Sequence, residues 1–454
     1  MPLSKYVSWF IILASTALIT ALVIPGIGLD ILVLATIFFI TSQYFLKEKT
    51  ILLILAMRPL VDYWRDYVLV TIGRTNINLN SALALLLLVW TGWIIYKYRS
   101  QIKTAPLLIP ISLFSALILI STLYSLFHFT SLVEAIKFID IALLFLVSYF
   151  LIKKNIIKES ELIFSFYWSS LIPISFGLYQ LLFGIGIDTF DINNRIFGTF
   201  AHPNVFAFYL LLLLFVHWLY ASLTSLSFWK KHPILKNTFY TVNILLLIFT
   251  YTRAAWLGFT AFLLVIGILK YRKSLIIVFI FTGILFSLFF PINQLLSKNY
   301  GINLQNNNLI ARLTSRSEEA DSISWRQSLI TETIPTILQR PLFGYGYGTF
   351  PLVWENIRSK THFYDDSSEA HNDYLRLALE VGLVGLALYL FILIKLFIIS
   401  AKPVHKEFDN PKHLFFFASL IVFFLLSFSD NMLHHTPVMW WLWTIWGMWT
   451  ADTN

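Results

Sequence analysis

Residues 369–399 read EAHNDYLRLALEVGLVGLALYLFILIKLFII. Within a few positions the chain passes from a charged loop into an apolar run long enough to cross a bilayer. Upstream, residues 295–374 are polar, whereas most of the remaining sequence repeats the apolar half of this stretch. One large polar segment in a greasy chain, closed by a histidine where the next apolar run begins, predicts chemistry at a membrane surface on a multi-span helical scaffold.

Composition supports that class. Of 454 residues, 58% are hydrophobic and 17% aromatic, only 13% are charged, and mean hydropathy is +0.74. A water-soluble domain of this make-up would aggregate, so the expected fold is all-α, a polytopic helical membrane protein. An outer-membrane barrel is excluded, because the apolar runs are continuous rather than alternating. The first run, from Tyr6 to Ile24, is long enough to span and lacks a small-residue cleavage pattern. With no cysteine, disulfides, a thiol nucleophile and Cys-ligated metals are ruled out.

The net charge of +9 reads as topology rather than nucleic-acid binding. Candidate helices fall at 6–24, 29–46, 51–70, 79–96, 105–125, 132–152, 161–184, 203–222, 237–252, 254–270, 274–294, 375–399, 413–429 and 436–450. Alternate connections are rich in Lys and Arg: Lys5, Lys47 and Lys49, Lys97 to Lys103, Lys153 to Lys158, Lys230 to Lys236, Lys270 to Lys273, and Lys402 to Lys412. The others carry only Arg74, Arg195 and Arg253 outside the long loop. That bias predicts cytoplasmic termini, with the long loop outside. The chain then divides into membrane helices over 1–294, a large extracytoplasmic loop over 295–374 and C-terminal membrane helices over 375–454. The run 51–70, broken by Pro59 and carrying Arg58, Asp62, Arg65 and Asp66, is a poor span alone, so the count is 12–14 transmembrane helices.

Three features point to the outer face. Arg195 lies in a short loop, Asn194 to Asn204, that runs into a helix starting near Pro203; arginine grips phosphate bidentately and a helix N-terminus favours an anion. Arg253 sits at the tip of a hairpin formed by 237–252 and 254–270. Each arm rises roughly 25 Å against a hydrocarbon core of about 30 Å, so the tip is recessed. An arginine there is costly unless it faces water or an anion. The third feature is His371, flanked by Glu369, Asn372 and Asp373, with Asp365 and Asp366 upstream. Imidazole is the side chain best matched to taking a hydroxyl proton near neutral pH, and any of these carboxylates could orient it. Each feature also has a plain structural reading, as an interfacial arginine or a hydrated loop histidine.

Further candidates are Arg326, on an amphipathic stretch over 322–338, and Arg340, which opens Arg340-Pro341-Leu342-Phe343-Gly344-Tyr345-Gly346-Tyr347-Gly348. No Walker lysine follows those glycines, so they read as a tight turn. Glu134, Lys137 and Asp140, spaced i, i+3, i+6, read as one face of paired charges, with Lys137 a candidate substrate contact. Arg58 and Asp62 read as an i, i+4 pair. His434-His435 reads as interfacial, and the acidic run around Asp365 to Asp373 matches no calcium loop.

Taken together these motifs resemble the bacterial O-antigen ligase/polymerase superfamily over about residues 185–400. The resemblance rests on Arg195-Ile196-Phe197-Gly198-Thr199-Phe200 with Pro203-Asn204, on Thr252 to Gly258, on Arg340 to Gly346, and on His371-Asn372 followed nine residues later by Gly382 and then Gly385. It implies a multi-span glycosyltransferase of the GT-C type whose donor is a glycan on undecaprenyl diphosphate. It further implies metal-independent transfer without a cofactor, onto lipopolysaccharide core or another glycan or lipid acceptor. Arg195 and Arg253 would then bind the diphosphate and His371 would activate the acceptor hydroxyl, as catalytic residues. Arg326, Lys137, Asn372 and Arg340 would bind substrate. The alternatives are a polymerase of lipid-linked polysaccharide repeats, a solute or bicarbonate transporter, and an anchoring protein without an active site. The absence of an internal repeat and the clustering of polar motifs on one face argue against transport.

Overall fold

The computed structural model describes residues 41–42, 44–72, 75–189, 192–222, 231–277, 322–357, 369–404 and 410–453. The expected spans 6–24 and 29–46 lie almost wholly, and 274–294 largely, outside them, as do Asp365 and Asp366. The fold is helical with two small hairpins. In order it comprises α1 (Thr50–Val61), β1 (Val68–Ile72), β2 (Thr75–Asn78), α2 (Leu79–Lys97), α3 (Leu108–Tyr124), α4 (His128–Lys153) and α5 (Glu159–Phe183). Then come β3 (Ile187–Thr189), β4 (Ile192–Arg195), α6 (Pro203–Ser222), α7 (Pro233–Phe249), α8 (Arg253–Leu269), α9 (Ser322–Gln339) and α10 (Phe350–Ile357). The last are α11 (Asp373–Glu380), α12 (Gly382–Val404), α13 (Pro411–Leu426) and α14 (Thr436–Thr453). Among the described residues, five helices are long and apolar enough to cross a membrane: α2, α4, α5, α6 and α12. Four shorter apolar helices, α3, α7, α8 and α13, accompany them.

Helix starts follow local chemistry. Asn78, Asn372 and Asn410 cap α2, α11 and α13 with side-chain oxygens that accept the free backbone N–H groups of the first turn, worth about 1 kcal/mol each. Pro233 and Pro411 occupy the first helical position, where the missing N–H costs nothing. Helix α14 runs through the centre, packed along α4. Its five indole-bearing residues, Trp440, Trp441, Trp443, Trp446 and Trp449, are all buried.

The two ends of the bundle carry different chemistry. At the lysine end, Lys49 pairs with Glu161 at 2.7 Å, Lys97 with Glu48 at 2.5 Å and Lys412 with Glu159 at 2.5 Å. These pairs gather the connections that charge bias assigned to one side. At the opposite, histidine end lie the α7–α8 tip, the 195–204 loop, the α13–α14 connection and the start of α11. Helices α9, α10 and α11 build a small core of their own there, with Trp325, Leu329, Phe350, Trp354 and Leu379 at its heart.

Three expectations are corrected. The stretch 51–70 is not one span: α1 ends at Val61, a 3-10 turn follows over Asp62–Trp64, and residues 68–78 form an antiparallel hairpin. Pro59 and the charges after it stop the helix short. The run 375–399 is two helices, because Gly382 adopts φ +68 and breaks the rod between α11 and α12. Leu342 O would lie 2.2 Å from a Cβ built there, so the Pro341–Phe343 turn threads against the break and needs glycine. Asp140 takes no part in the Glu134–Lys137 pair. At about 100° per residue, six positions rotate it well away from Glu134; it is fully buried, and neither carboxyl oxygen has a hydrogen-bond partner among the described residues. The expected Arg58–Asp62 pair is present at 3.1 Å.

Candidate active site at the histidine end

Strand β4 delivers Arg195 into a polar box. Its Nε donates to Thr250 O at 2.9 Å, and its Nη2 donates to Asn204 Oδ1 at 3.0 Å and to Thr252 Oγ1 at 3.1 Å. The guanidinium is thus buried and fixed against both the 195–204 loop and the α7–α8 tip. Arg253 is the next residue after Thr252 and the first of α8. It is half-buried, at the positive end of the helix dipole.

Asn204 carries the connection onward, donating Nδ2 to Asp430 Oδ2 at 3.1 Å. The other oxygen of Asp430 accepts from His435 Nε2 at 3.1 Å and lies 3.7 Å from His371 Nδ1. That last separation is a contact one small rotation from a hydrogen bond. A chain of polar contacts therefore runs Arg195, Asn204, Asp430, His371 across three distant segments of sequence. The His371 backbone holds φ +46, a left-handed conformation uncommon for a non-glycine residue. Trp325 meets its ring edge-on, with centroids 5.4 Å apart. The side chain remains 23% exposed, so the ring lies against Trp325 with its Nδ1 edge beside Asp430 and is still reachable.

Neighbouring groups lock this geometry. Asn372 caps α11 through Tyr374 N and Leu375 N, both at 3.0 Å, and its own N–H donates to Asn431 Oδ1 at 3.2 Å. Asp373 accepts from Leu433 N. Beneath the 195–204 loop, Asp62 accepts from Ala201 N at 3.0 Å, and Arg58 reaches Thr436 Oγ1 at 2.6 Å. The same ion pair therefore supports both the loop and the start of α14.

Charge states follow from burial and partners. Burial works against ionised Asp430, but His435 and His371 outweigh it and hold the carboxyl well below its usual range. His435 shows the converse: burial lowers it, yet Asp430 raises it further, so its net shift is upward. Burial, reinforced by the Arg195 charge, drops His202 to about 4 and keeps it neutral. Burial raises Glu369, but His434, Arg376 and His371 together outweigh it and leave it at about 2. For Asp373 burial wins over Arg376 and His434, pushing it up to about 6.

The remaining expected residues lie at differing distances from this centre. Lys137 bonds Glu134 Oε1 at 2.5 Å, and Glu134 Oε2 is 3.6 Å from His434 Nε2, so Lys137 joins the rim through His434. Arg326 follows Trp325 on α9 and is half-buried. Arg340 lies over the Tyr345 ring at 4.8 Å, in the turn packed on the α11–α12 break. Asp430 and Trp325 were not singled out from sequence, whereas Asn204 and Thr252 stand inside two of the motifs that carry the resemblance. Of these two, only Asp430 left a signal, as a lone carboxylate between the apolar runs 413–429 and 436–450. His434 and His435 are members of the charged cluster rather than interfacial side chains.

Residues 239–390 match the family model described as O-Antigen ligase. The match supports the O-antigen ligase/polymerase superfamily, whose activity is that of a glycosyltransferase-like ligase or polymerase acting on lipid-linked glycans at a membrane. No curated protein matches the chain.

Proposed function

We propose that the protein, as a ligase or polymerase of this superfamily, transfers a glycan from undecaprenyl diphosphate to an acceptor hydroxyl at the outer face of a bacterial inner membrane. The reading is carried by one observation: the contact chain from Arg195 through Asn204 and Asp430 to His371. It sets an anion-binding group and a proton acceptor on one rim, as transfer from a diphosphate ester requires.

The roles divide by exposure. Arg253, half-buried at the α8 N-terminus, contacts the diphosphate. Arg195, saturated by Thr250, Asn204 and Thr252, supplies fixed positive charge and positions Asn204. As the acceptor oxygen bonds to the anomeric carbon, the bond from that carbon to the diphosphate oxygen breaks and its electron pair leaves with the diphosphate. The two guanidinium groups stabilise that developing charge. His371 accepts the acceptor's proton at Nε2 while its Nδ1–H turns toward Asp430, the carboxylate steadying the imidazolium that forms. Charge bias places the lysine end in the cytoplasm, which puts the reaction outside.

The slight preference for a ligase over a polymerase rests on the closing motif His371-Asn372 with Gly382 and Gly385. The test is incubation of purified protein with undecaprenyl-diphosphate glycan, scoring a single adduct against a ladder. His371→Gln should abolish transfer at unchanged protein level; a fully active variant would remove the mechanism.

A further inference from the structure

The rim has a second half on the far side of His371, and its charge has the opposite sign. Asp430 and Asn431 are adjacent, but Asp430 faces the arginine half while Asn431 Nδ2 donates to Glu369 Oε2 at 2.5 Å. Glu369 Oε2 is 3.4 Å from His434 Nδ1, and the other ring nitrogen of His434 is 3.6 Å from Glu134 Oε2. Lys137 closes the row on Glu134. Four side chains from α4, the α13–α14 connection and the approach to α11 thus stand in line, leading away from the residue that takes the proton.

This row is reachable and its bonding is incomplete. Lys137 and Glu369 are 40% and 43% exposed, against 16% for Glu134 and 23% for His434. His434 Nε2 has no hydrogen-bond partner among the described residues. Behind the row, the Arg376 side chain is 1% exposed, and neither Nη1 nor Nη2 has a hydrogen-bond partner among the described residues. It acts electrostatically on both Glu134 and Glu369. Buried donors without acceptors in a row of carboxylates are unusual, because each costs about 1–3 kcal/mol. Groups that accept and donate alternately, with spare capacity, suit a polyhydroxyl compound. Two carboxylates against one lysine disfavour an anion.

We propose that Glu134, Lys137, His434 and Glu369 form the acceptor subsite, and that it takes a hydroxyl-rich sugar bearing no negative charge. The inference rests on the transfer reading for the role of the bound sugar, but not for its binding. Carboxylates accept from sugar hydroxyls, while Lys137 and His434 donate to them. The sugar's free hydroxyl is then delivered to His371 Nε2 with the diphosphate held on the other side. The two substrates are sorted by charge: the anion goes to the arginine half, and the uncharged glycan to the carboxylate half.

The test is direct binding by detergent-purified full chain to two trisaccharide probes of equal length, neutral chitotriose and anionic trigalacturonate. Wild type should bind chitotriose saturably and at least about tenfold more tightly than trigalacturonate. Glu369→Gln and the surface variant Lys137→Met should each weaken chitotriose binding several-fold, and Glu134→Gln should narrow the preference between probes. Equal affinity for the two probes, tighter binding of trigalacturonate, or no saturable binding of either overturns the subsite, as do variants that bind like wild type. His371→Gln separates the two readings. If it loses transfer but still binds chitotriose, both stand. Should it keep transfer while binding follows the pattern above, the catalytic reading fails and the subsite survives.

Discussion

The two ends of the bundle use the same residue types to opposite effect. At the lysine end each carboxylate has its own lysine, 2.5–2.7 Å away, and the pairs sit near the surface. At the histidine end partners are shared. Asp430 serves Asn204, His435 and the Asn431 N–H and has His371 in reach. His434 stands between two carboxylates. Carboxylates matched each by one lysine, with Tyr98, Trp449 and the Lys158 N–H filling further lone pairs on Glu48, Glu159 and Glu161, hold a structure together and have little left to offer a substrate. Shared, buried and incompletely bonded groups cost stability, and the fold retains them where chemistry needs charge that can move. The comparison separates structural ions from working ones more reliably than their number does.

The largest effect expected from breaking this contrast is at Asp430. Asp430→Asn keeps the shape but removes the charge that two imidazoles share. Transfer rate should fall by about 100-fold or more, the scale of a lost acid–base contribution, with protein level unchanged. A rate near wild type would reduce Asp430 to packing. Gly382→Ala should act on the same end through stability alone. A Cβ there meets Leu342 O at 2.2 Å on a backbone at φ +68, and a strained left-handed residue costs about 1–3 kcal/mol before the clash is counted. Thermal unfolding in detergent checks it: a lower midpoint is expected, and an unchanged one would mean the α11–α12 break is dispensable.

Smaller and more diagnostic is a pair of carboxylates with opposite pH behaviour. Glu369 is held at about 2, below its ordinary 4.5. The unfolded chain binds its proton more readily, so its contribution is present above about pH 4.5 and is lost as pH falls toward 2. Asp373 is pushed from 3.8 up to about 6. The folded protein holds that proton more tightly, so stability falls as pH rises from about 4 through 6. Asp373→Asn should therefore flatten the loss of melting temperature across that window, while Glu369→Gln should flatten the loss below it. If neither variant changes the profile, neither the burial that raises Asp373 nor the positive neighbours that lower Glu369 are present in solution.

Much of the scaffold was legible because membrane helices are written in long, redundant patterns. Helices α2 to α8 lie close to the runs read from hydropathy, and the charge bias named the set of connections that the lysine pairs bring together. The breaks were not legible. Gly382 interrupts the run 375–399, and only the turn at Pro341–Phe343, about forty residues away in sequence, gives the glycine its reason. The hairpins over 68–78 and 187–195 are short and lack a strong turn signal. In the site, Arg195, Arg253 and His371 stood out because ionisable groups at membrane edges are few. Asp430 did not, since what sets it apart is its distance to His371 across an intervening span, and spacing along the chain does not encode that. Of the four carboxylates near His371 in sequence, Glu369 and Asp373 bond elsewhere, and the carboxylate that stands by its Nδ1 is Asp430, on a different helix connection.

The contrast is completed by the smallest effect, at the lysine end. Lys97 bonds Glu48 at 2.5 Å, yet its side chain is 41% exposed. Water competes for both partners, and holding a long side chain in one rotamer costs entropy, so exposed pairs contribute about 0–1 kcal/mol. Lys97→Met should lower the unfolding midpoint barely, if at all, and leave transfer unchanged. Added salt should matter little to that difference, because the pair is already screened. The short distance alone would have ranked this pair above the 3.7 Å separation between His371 and Asp430. Ranking by what each group could still bind reverses the order, and a Lys97→Met variant as impaired in transfer as Asp430→Asn would show that the two ends are coupled rather than divided in their work.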